Sequence, residues 1–319
     1  MKQTKTFGLI FVLMALLCSV QSWAGSSYYK NMSVTIKNPE TAKGRVYLAP
    51  HVAEDSAYCT ISKDPKEGKV VGSFSDSKGV FKVNMFVFPA DGYVLDRLVP
   101  PESYARGDYS TDAVANVDGY PISSSVLTLD SDTLSNCSRV RPEKGTIPQP
   151  VLTCNYYSIF KPAKKASVRN KRAGGIAQVL KASRYGEATN DLIVKGPLNG
   201  DDLKYLNGLS KHKGLMRLDL SGASFATVPD SAFYNSGLYE LKLPPTVKKV
   251  GDYAFANSVG LKPVKLPKGI TIGEYTVNGC LLMELFGVKD TTDSNLDSTL
   301  RNILKDSRDP NYNIFLSPF

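Results

Sequence analysis

Few side chains in this chain could do covalent chemistry, and they are scattered. His51 and His212 are the only histidines. His51 and Cys59 would be the one base and nucleophile near each other in sequence, but they read more simply as a surface histidine and a core cysteine. There is no H-E-x-x-H, no G-x-S-x-G, no phosphate-binding loop and no dinucleotide glycine pattern. Cys59, Cys137, Cys154 and Cys280 match no zinc spacing, and two histidines leave little with which to complete a Cys/His cage. We therefore expect no catalytic residue, no cofactor and no metal. Carboxylate-only hydrolysis leaves no readable motif, so a hydrolase stands as a third-ranked reading.

The chemistry that remains is that of binding. Arg217, Asp219, Glu240, Lys242 and Lys265 alternate with Leu218, Leu220, Leu241, Leu243, Val264 and Leu266. On a short strand, residues between inward leucines point outward. In parallel register Arg217, Glu240 and Pro263 form one row, and Asp219, Lys242 and Lys265 another. Arg217 then faces Glu240, and Asp219 faces Lys242. Exposed pairs of this kind contribute about 0–1 kcal/mol each and cancel the local field. These residues are the candidate ligand face, of mixed charge and not built for nucleic acid. Arg106-Gly107-Asp108, between Tyr104 and Tyr109, has the form of a cell-attachment triplet. Cys137 and Cys154 flank a turn-rich segment and are a candidate disulfide, worth roughly 3 kcal/mol.

A repeat positions the candidate face. Val228, Val250 and Ile272 lie 22 residues apart. Pro229-Asp230-Ser231-Ala232-Phe233 follows the first, Gly251-Asp252-Tyr253-Ala254-Phe255 the second, and Gly273-Glu274-Tyr275-Thr276-Val277 the third. Leucine-based periods in the low twenties predict a solenoid, whose units bury their apolar faces against one another. Phe233 and Phe255 should point inward. Asp230, Asp252 and Glu274 should open a tight turn or short helix, where acids complement free amides. Cys280 holds the place of Ser236 and Ser258.

Repeats are expected over 215–290, with a cap at each end. In the N-terminal cap, 173–214, Ile176, Val179 and Leu180 predict a helix, and Leu192-Ile193-Val194 a strand. Asn199 or Asp201 should cap a second helix carrying Leu203, Leu206 and Leu209. In the C-terminal cap, 291–319, Leu296, Leu300, Ile303 and Leu304 predict a closing amphipathic helix.

The N-terminal half is patterned differently. Lys2 and Lys5, the apolar run Phe7–Leu17 and Ser22-Trp23-Ala24 predict a signal peptide over 1–24, cleaved after Ala24. Bulky Leu17 disfavours lipidation at Cys18. Removing the two lysines takes the net charge from +9 to +7. No later stretch is long and apolar enough to span a membrane as a helix. Residues 26–160 read as an antiparallel β-domain, rich in tyrosine, with its strongest strand signal at Gly79–Pro89. Lys161, Lys164, Lys165, Arg169, Lys171 and Arg172 lie within 12 residues that hold no acid. This stretch, 161–172, reads as a basic, solvated linker rather than a polyanion contact. The fold class expected is α+β and multidomain: an antiparallel β-domain followed by a short, capped leucine-rich-repeat solenoid.

Val250-Gly251-Asp252-Tyr253-Ala254-Phe255 through Leu266-Pro267 resembles the BspA-like leucine-rich repeats, close to I-G-x-x-A-F-x-x-C-x-x-L-x-x-I-x-L-P. The third repeat departs from this, with Thr276-Val277 in place of Ala-Phe. Phe86-Val87-Phe88-Pro89-Ala90-Asp91-Gly92-Tyr93-Val94-Leu95 resembles part of the internalin-type bacterial β-repeat, although Asp96-Arg97-Leu98 stands where that family has Gly-Trp. The first resemblance implies a secreted or surface-attached protein that binds a host or partner protein without catalysis. The tyrosine-rich N-terminal domain offers glycan binding as the alternative.

Overall fold

The computed structural model describes residues 31–50, 59–61, 64, 66–73, 81–107, 120–129, 138–140 and 151–285. The expected signal peptide, His51, Asp108, Cys137 and the expected closing helix fall outside them.

The N-terminal half holds two sheets. One contains β1 (Asn31–Lys37), β3 (Cys59–Ile61), β4 (Glu67–Ser73), β6 (Tyr93–Val99), β8 (Ser138–Val140) and β9 (Val151–Pro162), in the order β3-β4-β1-β9-β6, with β8 also on β9. The other is β2 (Gly44–Pro50), β5 (Phe81–Pro89) and β7 (Ser125–Leu129), in the order β2-β5-β7. Between them lie Val34, Ile36, Val46, Leu48, Met85 and Tyr156, all essentially inaccessible to water.

The first sheet is mixed, whereas the second is purely antiparallel. β1 and β9 run parallel, from Met32↔Leu152 to Lys37↔Tyr157. Alternation in sequence gives the inward face of a strand but not its partner's direction, and here the partner is far along the chain. β5 and β6 flank the Asp91-Gly92 turn yet belong to different sheets, so this turn carries the chain from one sheet to the other. β5 is apolar almost throughout because both its faces are covered. Val83, Met85 and Val87 enter the core between the sheets, while Phe86 and Phe88 face the repeats.

The basic stretch 161–172 is ordered structure rather than a linker. It holds the end of β9 and then β10 (Lys165–Arg169), which pairs in parallel with β11 (Asp191–Pro197). Lys165, Ser167 and Arg169 are exposed, whereas Ala166 and Val168 pack on the repeat core. The alternation Lys-Ala-Ser-Val-Arg was the available signal, masked by the density of charge.

The C-terminal half stacks in parallel. β10, β11, β12 (Arg217–Ser224) and β14 (Glu240–Lys242) form one ladder, while β13 (Thr227–Val228), β15 (Lys249–Val250) and β16 (Thr271–Ile272) form another. Pairs such as Leu218↔Leu241 and Val228↔Val250 reproduce the sequence periods. A short helix α1 (Pro101–Arg106) lies in the N-terminal half; α2 (Ile176–Lys181) and α3 (Gly200–His212) precede the repeats, and α4 (Leu281–Leu285) follows them. Asn199 caps α3 by accepting from the Asp202 N–H, and the Asp202 carboxylate accepts from the Asn199 N–H in return. Asp202 also accepts from Gly174 and Ile176, which ties α2 to α3.

The second half of each repeat is a turn and not a helix. Ser231, Tyr253 and Tyr275 have φ of 55°, 53° and 51°, and Asn235 and Asn257 have φ of 51° and 59°. Left-handed backbone at these places turns alternate N–H groups toward the next repeat. Ser231, Phe233 and Asn235 donate to the carbonyls of Asp252, Ala254 and Ala256, and Tyr253, Phe255 and Asn257 do the same one repeat on. The acids act across repeats too. Asp230 accepts from the Asp252 N–H at 3.0 Å, and Asp252 from the Glu274 N–H at 2.9 Å. Phe233 and Phe255 are buried and stacked at 6.1 Å. Ser258 donates to the Phe233 carbonyl and the Cys280 thiol to that of Phe255, so Cys280 fills a serine's place as a buried thiol.

The halves meet along a continuous apolar seam. Tyr47, Ala49, Phe86 and Val94 pack against Met216, Tyr239 and Leu282. Beside it runs a column of glycines at 214, 237 and 260. A Cβ on Gly214 would lie 2.4 Å from Pro121, one on Gly237 3.2 Å from the Ser123 hydroxyl, and one on Gly260 2.3 Å from Ser124.

Candidate functional site

The parallel register makes the outward rows of the first ladder explicit. Lys165, Asp191, Arg217 and Glu240 form one row, and Ser167, Ile193, Asp219 and Lys242 the next. Of these, Arg217, Glu240, Asp219 and Lys242 are the residues that alternation placed outside the leucines.

Arg217 is spent inside the molecule. It is buried, and its guanidinium donates to the carbonyls of Pro89, Ala90 and Tyr93 at 3.0–3.1 Å and lies over the Tyr239 ring. The expected cross-strand attraction to Glu240 gives way to this docking onto the β5–β6 turn. A repeat period cannot show it, because the partner lies outside the repeats.

Asp219, Glu240 and Lys242 do form a charged cluster. Lys242 Nζ lies 3.7 Å from Asp219 and 3.3 Å from Glu240. Burial of Asp219 acts to raise its pKa, but bonds from the Ser221 hydroxyl and N–H, together with Lys242, outweigh it and hold the carboxyl below its ordinary range. The negative charge of Glu240, offset in part by burial and reinforced by Asp219, raises the pKa of Lys242.

Beyond this cluster the surface opens into a groove of about 620 Å³. Glu240, Lys242 and Pro245 form one wall; Lys262, Pro263 and Lys265 form the other. Leu243 and Leu266 supply apolar surface, and Asp91 of the docked turn stands among the lining residues. Volumes of this order are typical of ligand sites, about 300–1,000 Å³. Three of the five expected face residues, Glu240, Lys242 and Lys265, therefore line one groove. Asp219 stands behind it, bonded to Lys242. Lys262 and Asp91 were not expected: Lys262 lies over the Tyr239 ring at 4.2 Å, and Asp91 is brought in by the other half of the molecule.

The remaining candidates lie elsewhere. Arg106 ends α1 and donates to Ser103, while Gly107 takes the left-handed cap at φ 69°. Cys154 is disulfide-bonded. Among the described tyrosines of the N-terminal half, Tyr47 and Tyr156 are buried, and Tyr104 stacks on Tyr157 at 4.1 Å. The large exposed hydrophobic side chains of the described residues are Ile193, Tyr234, Tyr253 and Ile272, all in the C-terminal half. No described helix is long and apolar enough to cross a membrane, and no group of three or more metal-ligating residues occurs among the described residues.

No curated protein and no solved structure matches the chain. Residues 221–303 match the BspA type leucine rich repeat region in six copies. The matched range extends past residue 290, into the stretch expected to form the closing cap. Residues 221–303, which hold the stacked turns and all the groove lining but Asp91, are thus a BspA-type leucine-rich-repeat region.

Proposed function

We propose that the chain is a secreted or surface-held protein that binds a host or partner protein without catalysis, through the strand face and groove of its repeats. The observation carrying this reading is the groove between Lys242 and Lys265, built on repeats of a type associated with surface protein–protein interaction. A basic start, an apolar run and small residues before Gly25 support export. Edman sequencing of protein recovered from outside the cell should begin at Gly25. The parallel ladders support the solenoid reading, and the two N-terminal sheets support a sandwich-like domain in front of it.

Labelled full-length chain should bind intact animal cells saturably. Mild protease treatment of the cells should remove the binding, and enzymatic removal of glycans should leave it. Loss with the glycans alone would overturn the reading in favour of sugar binding. Of the described tyrosines on which that alternative rested, Tyr47 and Tyr156 are buried and Tyr104 and Tyr157 stack on one another.

A further inference from the structure

The groove exists because the parallel ladder stops at it. β12 pairs with β14 residue for residue, from Arg217↔Glu240 to Asp219↔Lys242. The third repeat begins the same way: Lys262 donates to the Tyr239 carbonyl at 3.0 Å, as Tyr239 donates to that of Met216 at 2.7 Å. Pro263 then falls in register with Arg217 and Glu240. Proline has no N–H, so the next ladder bond cannot form. Among the described residues, no backbone bond joins Leu241 or Leu243 to residues 263–267. In a parallel strand successive residues aim their N–H and C=O groups to opposite sides. Glu240 turns its N–H back toward Met216, so Leu241 turns its own toward the groove.

The charge of the two walls differs. On the β14 side Lys242 is held by Glu240 and Asp219. On the far side, residues 261–270 carry Lys262, Lys265 and Lys268 and no acid. Lys265 is exposed at the groove.

We propose that the groove takes an extended, acidic polypeptide segment of a partner. Its backbone pairs with Leu241 where the third strand is interrupted, its carboxylates lie against Lys262 and Lys265, and its alternate side chains rest on Leu243 and Leu266. This inference rests on the protein-binding reading above and narrows it to one class of ligand. Strand addition of this kind draws affinity from main-chain bonds and specificity from alternate side chains.

The test uses the full-length chain and fluorescein-labelled Glu-Val-Glu-Val-Glu, with Lys-Val-Lys-Val-Lys and a backbone N-methylated acidic peptide as comparisons. Anisotropy should show saturable binding of the acidic peptide alone. Lys265→Glu, an exposed change that spares the fold, should weaken it about ten-fold, the equivalent of about 1.4 kcal/mol. Pro263→Val restores an N–H and should let the ladder close, abolishing binding. Hydrogen exchange at Leu241 should slow when the peptide is present. Equal binding of the lysine or N-methylated peptide, no binding of any peptide, or unchanged exchange at Leu241 would overturn the proposal. If Lys265→Glu leaves protease-sensitive cell binding intact, the groove is excluded while the protein-binding reading survives.

Discussion

Arg217 shows how much a single residue's meaning depends on what lies beyond its own repeat. Its spacing from Leu218 and Leu220 was legible, and so was its outward direction. Its partners, the carbonyls of Pro89, Ala90 and Tyr93, were not, because they come from a turn more than a hundred residues earlier. Arg217→Met should destabilise the fold by about 2–4 kcal/mol in urea melts, since buried carbonyls lose charged donors. A cost near zero would mean that the docking seen here contributes little. The Asp219 cluster, by contrast, could be read directly from parallel register. An ordinary aspartate titrates near about 3.9. Because the folded Asp219 value lies lower, its stabilisation is present above that pH and is lost as pH falls through the lowered value. The raised Lys242 value acts oppositely, its share being lost only as pH rises beyond the ordinary lysine range. Asp219→Asn should therefore reduce stability at neutral pH and flatten the acid limb of a pH–stability curve; an unchanged acid limb would assign that limb to other carboxylates.

At the scale of elements, the inward side of the repeats was largely legible and their turns were not. Leucine spacing gives the inward face, and Phe233 and Phe255 sit where it puts them. Phe255→Ala should cost about 3–5 kcal/mol by calorimetry or denaturant titration, the range for emptying a buried aromatic site. The acids at 230 and 252 marked the start of a tight turn or short helix, and their partners are amides of the following repeat. Both arrangements ask for an acid near free N–H groups, so composition alone does not separate them. The separating feature is the left-handed backbone at Ser231 and Tyr253, which lets N–H groups leave the local turn. Asp252→Ala should cost about 1 kcal/mol, like the loss of a helix cap. Amide exchange should quicken at Glu274 in that variant, and no change there would remove the cross-repeat bond from the account. β10 makes a related point: its strand alternation was present, but six basic residues in a short stretch outweighed it as a signal.

At the scale of the molecule, the boundary near residue 161 is a change of pattern and not a place to cut. Residues 173–319 expressed alone would expose Met216, Tyr239 and Leu282 and lose the carbonyls that hold Arg217. That fragment should melt lower than the full chain and bind a hydrophobic dye; equal melting temperatures would show that the seam is dispensable. The disulfide at Cys154 belongs to this scale as well. β8 pairs with β9 at Ser138↔Thr153, and Cys137 precedes Ser138 in sequence. Non-reducing peptide mapping should recover Cys137 joined to Cys154, and a Cys59–Cys154 peptide would refute that pairing. The glycine column carries one more consequence. Pro121, Ser123 and Ser124 meet Gly214, Gly237 and Gly260 in turn. From residue 121 to 124 an extended chain covers about 10 Å, and two repeat steps at about 4.8 Å each cover the same distance. The segment thus works as a gauge cut to three rungs. Lengthening the array beyond Gly260 leaves the gauge in register, whereas inserting or deleting a unit between Gly214 and Gly260 does not. Growth and loss of repeats are thereby disfavoured between Gly214 and Gly260.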